Sequence, residues 1–273
     1  MIDFKFENNN VYLNCKNEFN IALTLDCGQA FRWKQNSDLS WSGAVGNRVL
    51  KISQNGDTVI LHSVSEKDFT DFWCDYFDLN RDYSELYKVF TNDKTLDGAV
   101  KKYYGIRVLN QNPWEALCSF IISQNNNIPR IKGIIERLCE SFGEKLSDGI
   151  YSFPSAEKIA ALTVDDLAPL RAGFRAKYIL DAAKKVASNE IGLNKITDLP
   201  IENGRTELQK ICGVGPKVAE CVLLFSCKKP EAFPLDVWMK RVVAEYYPNG
   251  IPETIKPYAG IAQQYLFHMM RNI

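Results

Sequence analysis

Apolar residues alternate with polar ones through the first sixty positions and then recur at helical spacing through most of the remaining chain. Short apolar runs at 11–15 (VYLNC), 21–25 (IALTL), 31–34 (FRWK), 41–46 (WSGAVG), 48–53 (RVLKIS) and 58–64 (TVILHSV) are separated by turn residues, among them Asn36-Ser37-Asp38 and Asn55-Gly56-Asp57. This pattern predicts antiparallel strands joined by tight turns. From Ser65 the period lengthens, and Phe69, Phe72, Trp73, Tyr76 and Phe77 make an aromatic stripe that reads as core. Helices are predicted over 84–104, 113–125, 128–142, 155–162, 164–171, 176–189, 205–212, 216–227, 236–247 and 257–271, with breaks at Gly143, Gly149, Gly173, Gly192, Gly204 and Gly213. Strands first and helices after give an α+β chain. An antiparallel β-rich domain is expected over 1–110 and a helical one over 111–273, divided at the NQNP turn.

Composition narrows the function classes. No uninterrupted apolar run of membrane-spanning length occurs in the 273 residues, so no transmembrane helix is expected. The N-terminal MIDFKFENNNVYLNC has neither a basic segment nor an apolar core, which predicts an intracellular protein, in the cytoplasm or nucleoid of a prokaryotic cell. Eight scattered cysteines without a CxxC pair predict free thiols. Their spacing suits neither zinc nor a four-cysteine iron–sulfur cluster, and His62 and His268 are the only histidines. The net charge is zero, but residues 66–97 hold nine acidic and four basic side chains, which leaves the remainder at +5. An acidic lobe beside a mildly basic one permits a nucleic-acid partner without requiring it.

The segment 208–221, LQKICGVGPKVAEC, carries the strongest chemical signal. A helix ends at Gly213, two glycines turn the chain, and Pro216 opens the next helix where its missing N–H costs nothing. This is a helix–hairpin–helix. Gly213, Val214 and Gly215 let the backbone approach a phosphate, and the second helix offers its free N–H groups there. Lys217 falls in the first turn of that helix, where the dipole disfavours a cation and favours the neutral, nucleophilic amine. Nineteen residues later, Asp236 in PLDVW is placed to cap a new helix. Beside an amine, the same carboxylate can take a proton or stabilise positive charge on a sugar as a glycosidic bond breaks.

With GVGPKVAEC and PLDVW in place, the chain resembles the helix–hairpin–helix (HhH-GPD) glycosylases, and within them the 8-oxoguanine DNA glycosylases. CGQAFRW at 27–33, PWEALCSFIISQNNNIPRI at 113–131, GFRAKY at 173–178 and PYAGIAQQYLF at 257–267 extend the resemblance along nearly the whole chain. It implies a TBP-like N-terminal sheet domain and a chain working as a monomer on double-stranded DNA that contains 8-oxoguanine, with no cofactor. It further implies that the damaged nucleotide is flipped out, that Lys217 attacks C1′, and that a Schiff base leads to strand cleavage by β-elimination. By the same resemblance the Gly28 carbonyl accepts N7–H of the lesion, a proton that guanine lacks. Gln263 would then meet the Watson–Crick edge, Phe267 and Cys221 would sandwich the ring, and Pro234 would line the pocket. Asn125, Arg130 and Arg175 would hold the orphaned base, with Phe174 as the wedge. Carbonyls of Gln209, Ile211 and Val214 would be able to hold a structural cation against phosphate.

Two positions depart from the pattern. Trp238 stands where eukaryotic relatives usually carry histidine, and Phe174 replaces a common tyrosine, so the preferred opposite base stays open. Glycosylases for alkylated purines generally lack the lysine, and those for oxidised pyrimidines usually carry the four-cysteine cluster. A non-catalytic DNA-binding module would need neither Lys217 nor Asp236.

Overall fold

The computed structural model describes residues 2–16 and 18–271. β1 (Asp3–Glu7) and β2 (Asn10–Asn14) form a hairpin over Asn8 and Asn9, whose φ values of 49° and 58° are left-handed. Asparagine tolerates that conformation better than most side chains. With β3 (Trp33–Gln35), β4 (Trp41–Val45), β5 (Arg48–Asn55) and β6 (Thr58–His62) they make a six-stranded antiparallel sheet in the order β1-β2-β6-β5-β4-β3.

The run IALTL, expected as a strand, is instead the short helix α1 (Ile21–Leu25). Asn20 caps it by accepting the Leu23 N–H at 3.0 Å, and burial of Ile21, Thr24 and Leu25 follows the helical i, i+3, i+4 spacing. FRWK enters the sheet only at Trp33, while β1 adds an edge strand that the apolar pattern did not announce.

α2 (Glu66–Asp68) runs through a π-helical turn at Phe69–Trp73 into α3 (Cys74–Tyr76) and lays the aromatic stripe on the sheet, with Phe69, Trp73 and Phe77 buried. The expected helix over 84–104 is two, α4 (Tyr83–Phe90) and α5 (Lys94–Lys102), because Asp93 caps the second by accepting the Leu96 N–H at 2.8 Å. α6 (Pro113–Ser123) and α7 (Ile128–Phe142) follow, each opened by an asparagine cap and a proline. An unforeseen hairpin of β7 (Lys145–Ser147) and β8 (Ile150–Tyr151) precedes α8 (Ala156–Ala160). Residues 164–171 form only a 3₁₀ turn at Ala168–Leu170, since Pro169 supplies no N–H and Arg171 is left-handed. The series closes with α9 (Arg175–Ala187), α10 (Leu193–Ile196), α11 (Ile201–Leu208), α12 (Pro216–Ser226), α13 (Val237–Tyr246) and α14 (Ala259–Arg271). Pro200 lets α11 begin four residues before the predicted 205.

α6 and α12 are buried on nearly every side and pack together at the centre of the helical core. α4 and α5 lie before residue 110 in the chain yet pack into this same core, where the Tyr265 hydroxyl donates to the Ile106 carbonyl at 2.8 Å. Among the described residues no helix is long and apolar enough to cross a membrane. All eight cysteines are free, and seven are buried.

Candidate active site

α11 and α12 flank the turn that the sequence predicted, with Gly213 at φ +81° and Gly215 capping α12. The turn is gripped from α9 by three side chains one helical turn apart. Tyr178 lies beneath Gly213, Asp181 accepts the Cys212 N–H at 2.7 Å, and Lys185 donates to the Lys210 carbonyl at 2.5 Å. Spacings of three and four place all three on one face of α9. Of the carbonyls considered for a cation, that of Ile211 already accepts the Val214 N–H at 3.0 Å. No group of three or more His, Cys, Asp or Glu side chains suited to a metal is present among the described residues.

The two glycines of the turn are not equivalent. A Cβ on Gly213 would fall 2.4 Å from the Tyr178 ring in a left-handed backbone, whereas one on Gly215 would meet open space. Gly213→Ala is therefore expected to cost about 2–4 kcal/mol from backbone conformation and overpacking together. Gly215→Ala should cost less than about 1 kcal/mol. Urea denaturation of both variants checks the difference, and equal midpoints would contradict it.

Lys217 is half-buried in the first turn of α12. Its Nζ lies 3.4 Å from the Ser123 hydroxyl of α6 and 5.4 Å from the Phe120 ring centre. One turn further, burial pushes the Cys221 thiol up, with the Lys217 amine pulling it down and the Asp236 carboxylate pushing it up again. Amine, thiol and carboxylate thus share one environment. Asp236 caps α13, its Oδ1 accepting the Met239 N–H at 2.8 Å, while its Oδ2 takes no partner from the described residues. Around it Leu235, Val237 and Trp238 are exposed, and the Arg241 guanidinium lies 5.3 Å from the Trp238 ring centre.

The loop leading to Asp236 is tethered to the lysine helix by Glu220, a residue that sequence reasoning passed over. Glu220 is 8% exposed, its Oε1 paired with Arg205 of α11 and its Oε2 accepting the Phe233 N–H at 2.6 Å. That pairing holds the Arg205 guanidinium above its ordinary range. Glu220→Ala would leave the Phe233 N–H unpaired and Arg205 with Glu202 as its remaining carboxylate, and the expected loss is about 1–3 kcal/mol of stability. Glu220→Gln keeps an acceptor for Phe233 and should lose less. Thermal denaturation ranks the two, and an alanine variant as stable as the parent would refute the tether.

Gln263 and Phe267 stand four residues apart on α14, and Arg271 stands four further on the same face. Gln263 is buried and accepts from Gln264, while Phe267 packs against the core that contains Cys221. Arg271 donates to the Asp26 carbonyl at 3.3 Å, which brings this face beside the turn holding Gly28. Gly28 has φ +78°, and a Cβ there would meet only Ile128 of α7 at 3.8 Å, so conformation and not space calls for glycine. Pro234 is buried.

Asn125, Arg130, Phe174 and Arg175 also come together. Asn125 is left-handed at φ 47°, and its carbonyl accepts from Arg175 at 2.9 Å. The Arg175 guanidinium also binds the Gln124 carbonyl and reaches the Ala172 carbonyl at 3.2 Å. Burial and the charge of Arg130 hold it below its usual range, which places the two cations near each other. Phe174 is 47% exposed, with Arg175 stacked 4.5 Å from its ring centre and the Tyr178 ring 5.7 Å away.

Comparison with known proteins agrees with this architecture. Residues 11–117 match the family model for the N-terminal domain of 8-oxoguanine DNA glycosylase, and residues 118–256 match that for HhH-GPD superfamily base excision DNA repair proteins. The chain belongs to the HhH-GPD superfamily, in the branch that carries the 8-oxoguanine glycosylase N-terminal domain. It is 33% identical to the N-glycosylase/DNA lyase of Saccharomyces cerevisiae, over 85% of this chain and 69% of the yeast protein. It is 37% identical to the Clostridium acetobutylicum 8-oxoguanine glycosylase/lyase, solved with double-stranded DNA containing cytosine opposite the lesion. That match has a TM-score of 0.91 and covers 100% of this chain and 98% of the other. A further structure, MBOgg1 in complex with a low-affinity DNA ligand, is 41% identical with a TM-score of 0.93, covering 100% and 99%.

Proposed function

We propose that this protein excises 8-oxoguanine from duplex DNA and cleaves the abasic strand, with Lys217 as nucleophile and Asp236 as its carboxylate partner. The observation that carries this reading is the half-buried Lys217 amine at the head of α12, 3.4 Å from the Ser123 hydroxyl, with the loop that presents Asp236 tied to the same helix through Glu220. The hairpin at 208–221 and the N-terminus of α12 would hold the phosphates. The lesion nucleotide, unreachable inside the stack, would be flipped between Gly28, Cys221, Pro234, Gln263 and Phe267.

The neutral Lys217 amine attacks C1′, the C1′–N9 bond breaks, and the base departs with the bonding pair and is protonated. Asp236 stabilises the cationic sugar and receives the proton lost from nitrogen. Opening of the sugar ring gives the Schiff base; removal of a C2′ proton then expels the 3′ phosphate, and water frees the lysine. Lysine and carboxylate supply this chemistry, and the mechanism calls on no cofactor. The Gly28 carbonyl selects the lesion because normal guanine would set its N7 lone pair against that carbonyl, at a cost of about 1–3 kcal/mol.

Across the duplex, Asn125, Arg130 and Arg175 would hold the orphaned base while Phe174 fills the gap. Most of the Arg175 donors are spent on carbonyls, so Arg175 would also fix the loop that carries Asn125, and the exposed Arg130 has more donors free for the base. The compartment is the one that holds the genome, the cytoplasm or nucleoid if the cell is prokaryotic.

Borohydride trapping tests the whole. Wild-type protein should form a covalent adduct with duplex DNA containing 8-oxoguanine and none with undamaged DNA. An adduct only with thymine glycol would overturn the substrate, and no adduct at all would overturn the lysine mechanism.

A further inference from the structure

Gln29 is fully buried, yet it is polar and stands next to the turn glycine Gly28. Its amide is completely engaged. Nε2 donates to the Thr24 carbonyl at 2.9 Å and to the Arg107 carbonyl at 2.8 Å, and Oε1 accepts the Leu109 N–H at 2.8 Å. Its own backbone carbonyl accepts from Gln111 Nε2 at 2.6 Å, and the Gln111 N–H in turn donates to the Phe225 carbonyl at 2.7 Å. Phe225 lies on α12, the helix that opens with Lys217. On the other side of Gly28, the buried Cys27 thiol donates to the same Thr24 carbonyl at 3.1 Å.

A left-handed glycine is the most freely deformable unit a chain can contain. Gly28 has space around it, since a Cβ would meet nothing nearer than 3.8 Å, so side-chain packing does not fix its peptide. Its two neighbours do. Both are tied to one carbonyl of α1, and Gln29 continues through Gln111 to the end of the lysine helix. Buried amides are kept where each hydrogen bond is made and a single geometry is required.

We infer that Gln29 is a positioning residue that aims the Gly28 carbonyl and registers it to the lysine helix, and so sets the selection of 8-oxoguanine over guanine. The inference rests on the proposed base pocket. It predicts a division that general loosening would not produce, because attack of Lys217 on a pre-formed abasic site involves no base and so does not need the Gly28 carbonyl.

Gln29→Met keeps the length of the side chain and removes its hydrogen bonds. The expected result is at least a tenfold fall in single-turnover excision of 8-oxoguanine, with borohydride trapping at a pre-formed abasic site within twofold of wild type. Selectivity for 8-oxoguanine over guanine should fall with it. If Gln29→Met shows no cooperative thermal transition, Gln111→Leu takes its place, removing one tether only, with about a threefold fall expected on 8-oxoguanine alone. Parallel loss of both activities in a folded variant, or excision within twofold of wild type, would overturn the inference. Wild-type protein that traps abasic DNA but never excises 8-oxoguanine would overturn the substrate reading, and this inference with it.

Discussion

Lys217→Gln is expected to give no borohydride-stable adduct and to slow excision of 8-oxoguanine by at least about 10⁴-fold, the scale on which loss of a nucleophile is felt. The protein should nevertheless stay folded. A cation in the first turn of α12 opposes the helix dipole, and removing it returns about 0.3–1 kcal/mol. Against that stands the loss of the contact with the Phe120 ring, 5.4 Å from Nζ, worth about 0.5–1 kcal/mol. These terms nearly cancel, so the melting temperature should move by only a few degrees. Trapping gels and thermal denaturation of the same preparation check both halves. An adduct that persists in the glutamine variant would assign the chemistry to another amine, and a large loss of stability would make Lys217 a structural residue.

The hairpin, the lysine and the aspartate were legible because each is written into a few consecutive residues. Pro216 and Asp236 announce themselves as a helix start and a cap and are found in those places, whereas the helix expected to end at Gly213 already stops at Leu208 and leaves Gly213 inside the turn at φ +81°. What supports them is not local. Tyr178, Asp181 and Lys185 grip the hairpin from a helix some thirty residues earlier, and nothing in GFRAKY by itself says which neighbour that face will meet. Glu220 looks like a solvated charge on the polar side of a helix until Arg205 and the Phe233 N–H close on it. Gln29 is the extreme case, since its three amide partners come from α1 and from residues 107–109, nearly eighty positions away.

Where the fold was misread, two physical patterns competed over a short span. IALTL satisfies strand alternation and helical i, i+3, i+4 burial equally well over five residues, and the cap from Asn20 decided the matter. The break at Thr91–Asp93 is likewise a capping decision inside a continuous apolar period. Caps act between adjacent residues and are visible in principle, whereas the tethers of the site depend on tertiary packing.

Asp236→Asn separates the two roles that one carboxylate holds here. The asparagine oxygen can still accept the Met239 N–H, now 2.8 Å from Oδ1, and Asn ranks with Asp as a cap. Only the charge is lost, which at a helix N-terminus costs about 0.3–1 kcal/mol. Stability should therefore change by less than about 1 kcal/mol. The chemistry should change far more, because an amide neither accepts the lysine proton nor stabilises a cationic sugar, and a fall of about 10²–10⁴-fold in single-turnover excision is expected. Asp236→Ala should show the same fall in rate with about 1 kcal/mol of further destabilisation from the missing cap. Binding to DNA should not weaken in either variant, since a negative charge beside the phosphates has been removed. Rate, melting temperature and affinity measured on both variants resolve the roles. If the asparagine variant excises within threefold of wild type, Asp236 is a helix cap alone, and the carboxylate acting beside Lys217 must be sought elsewhere in the site.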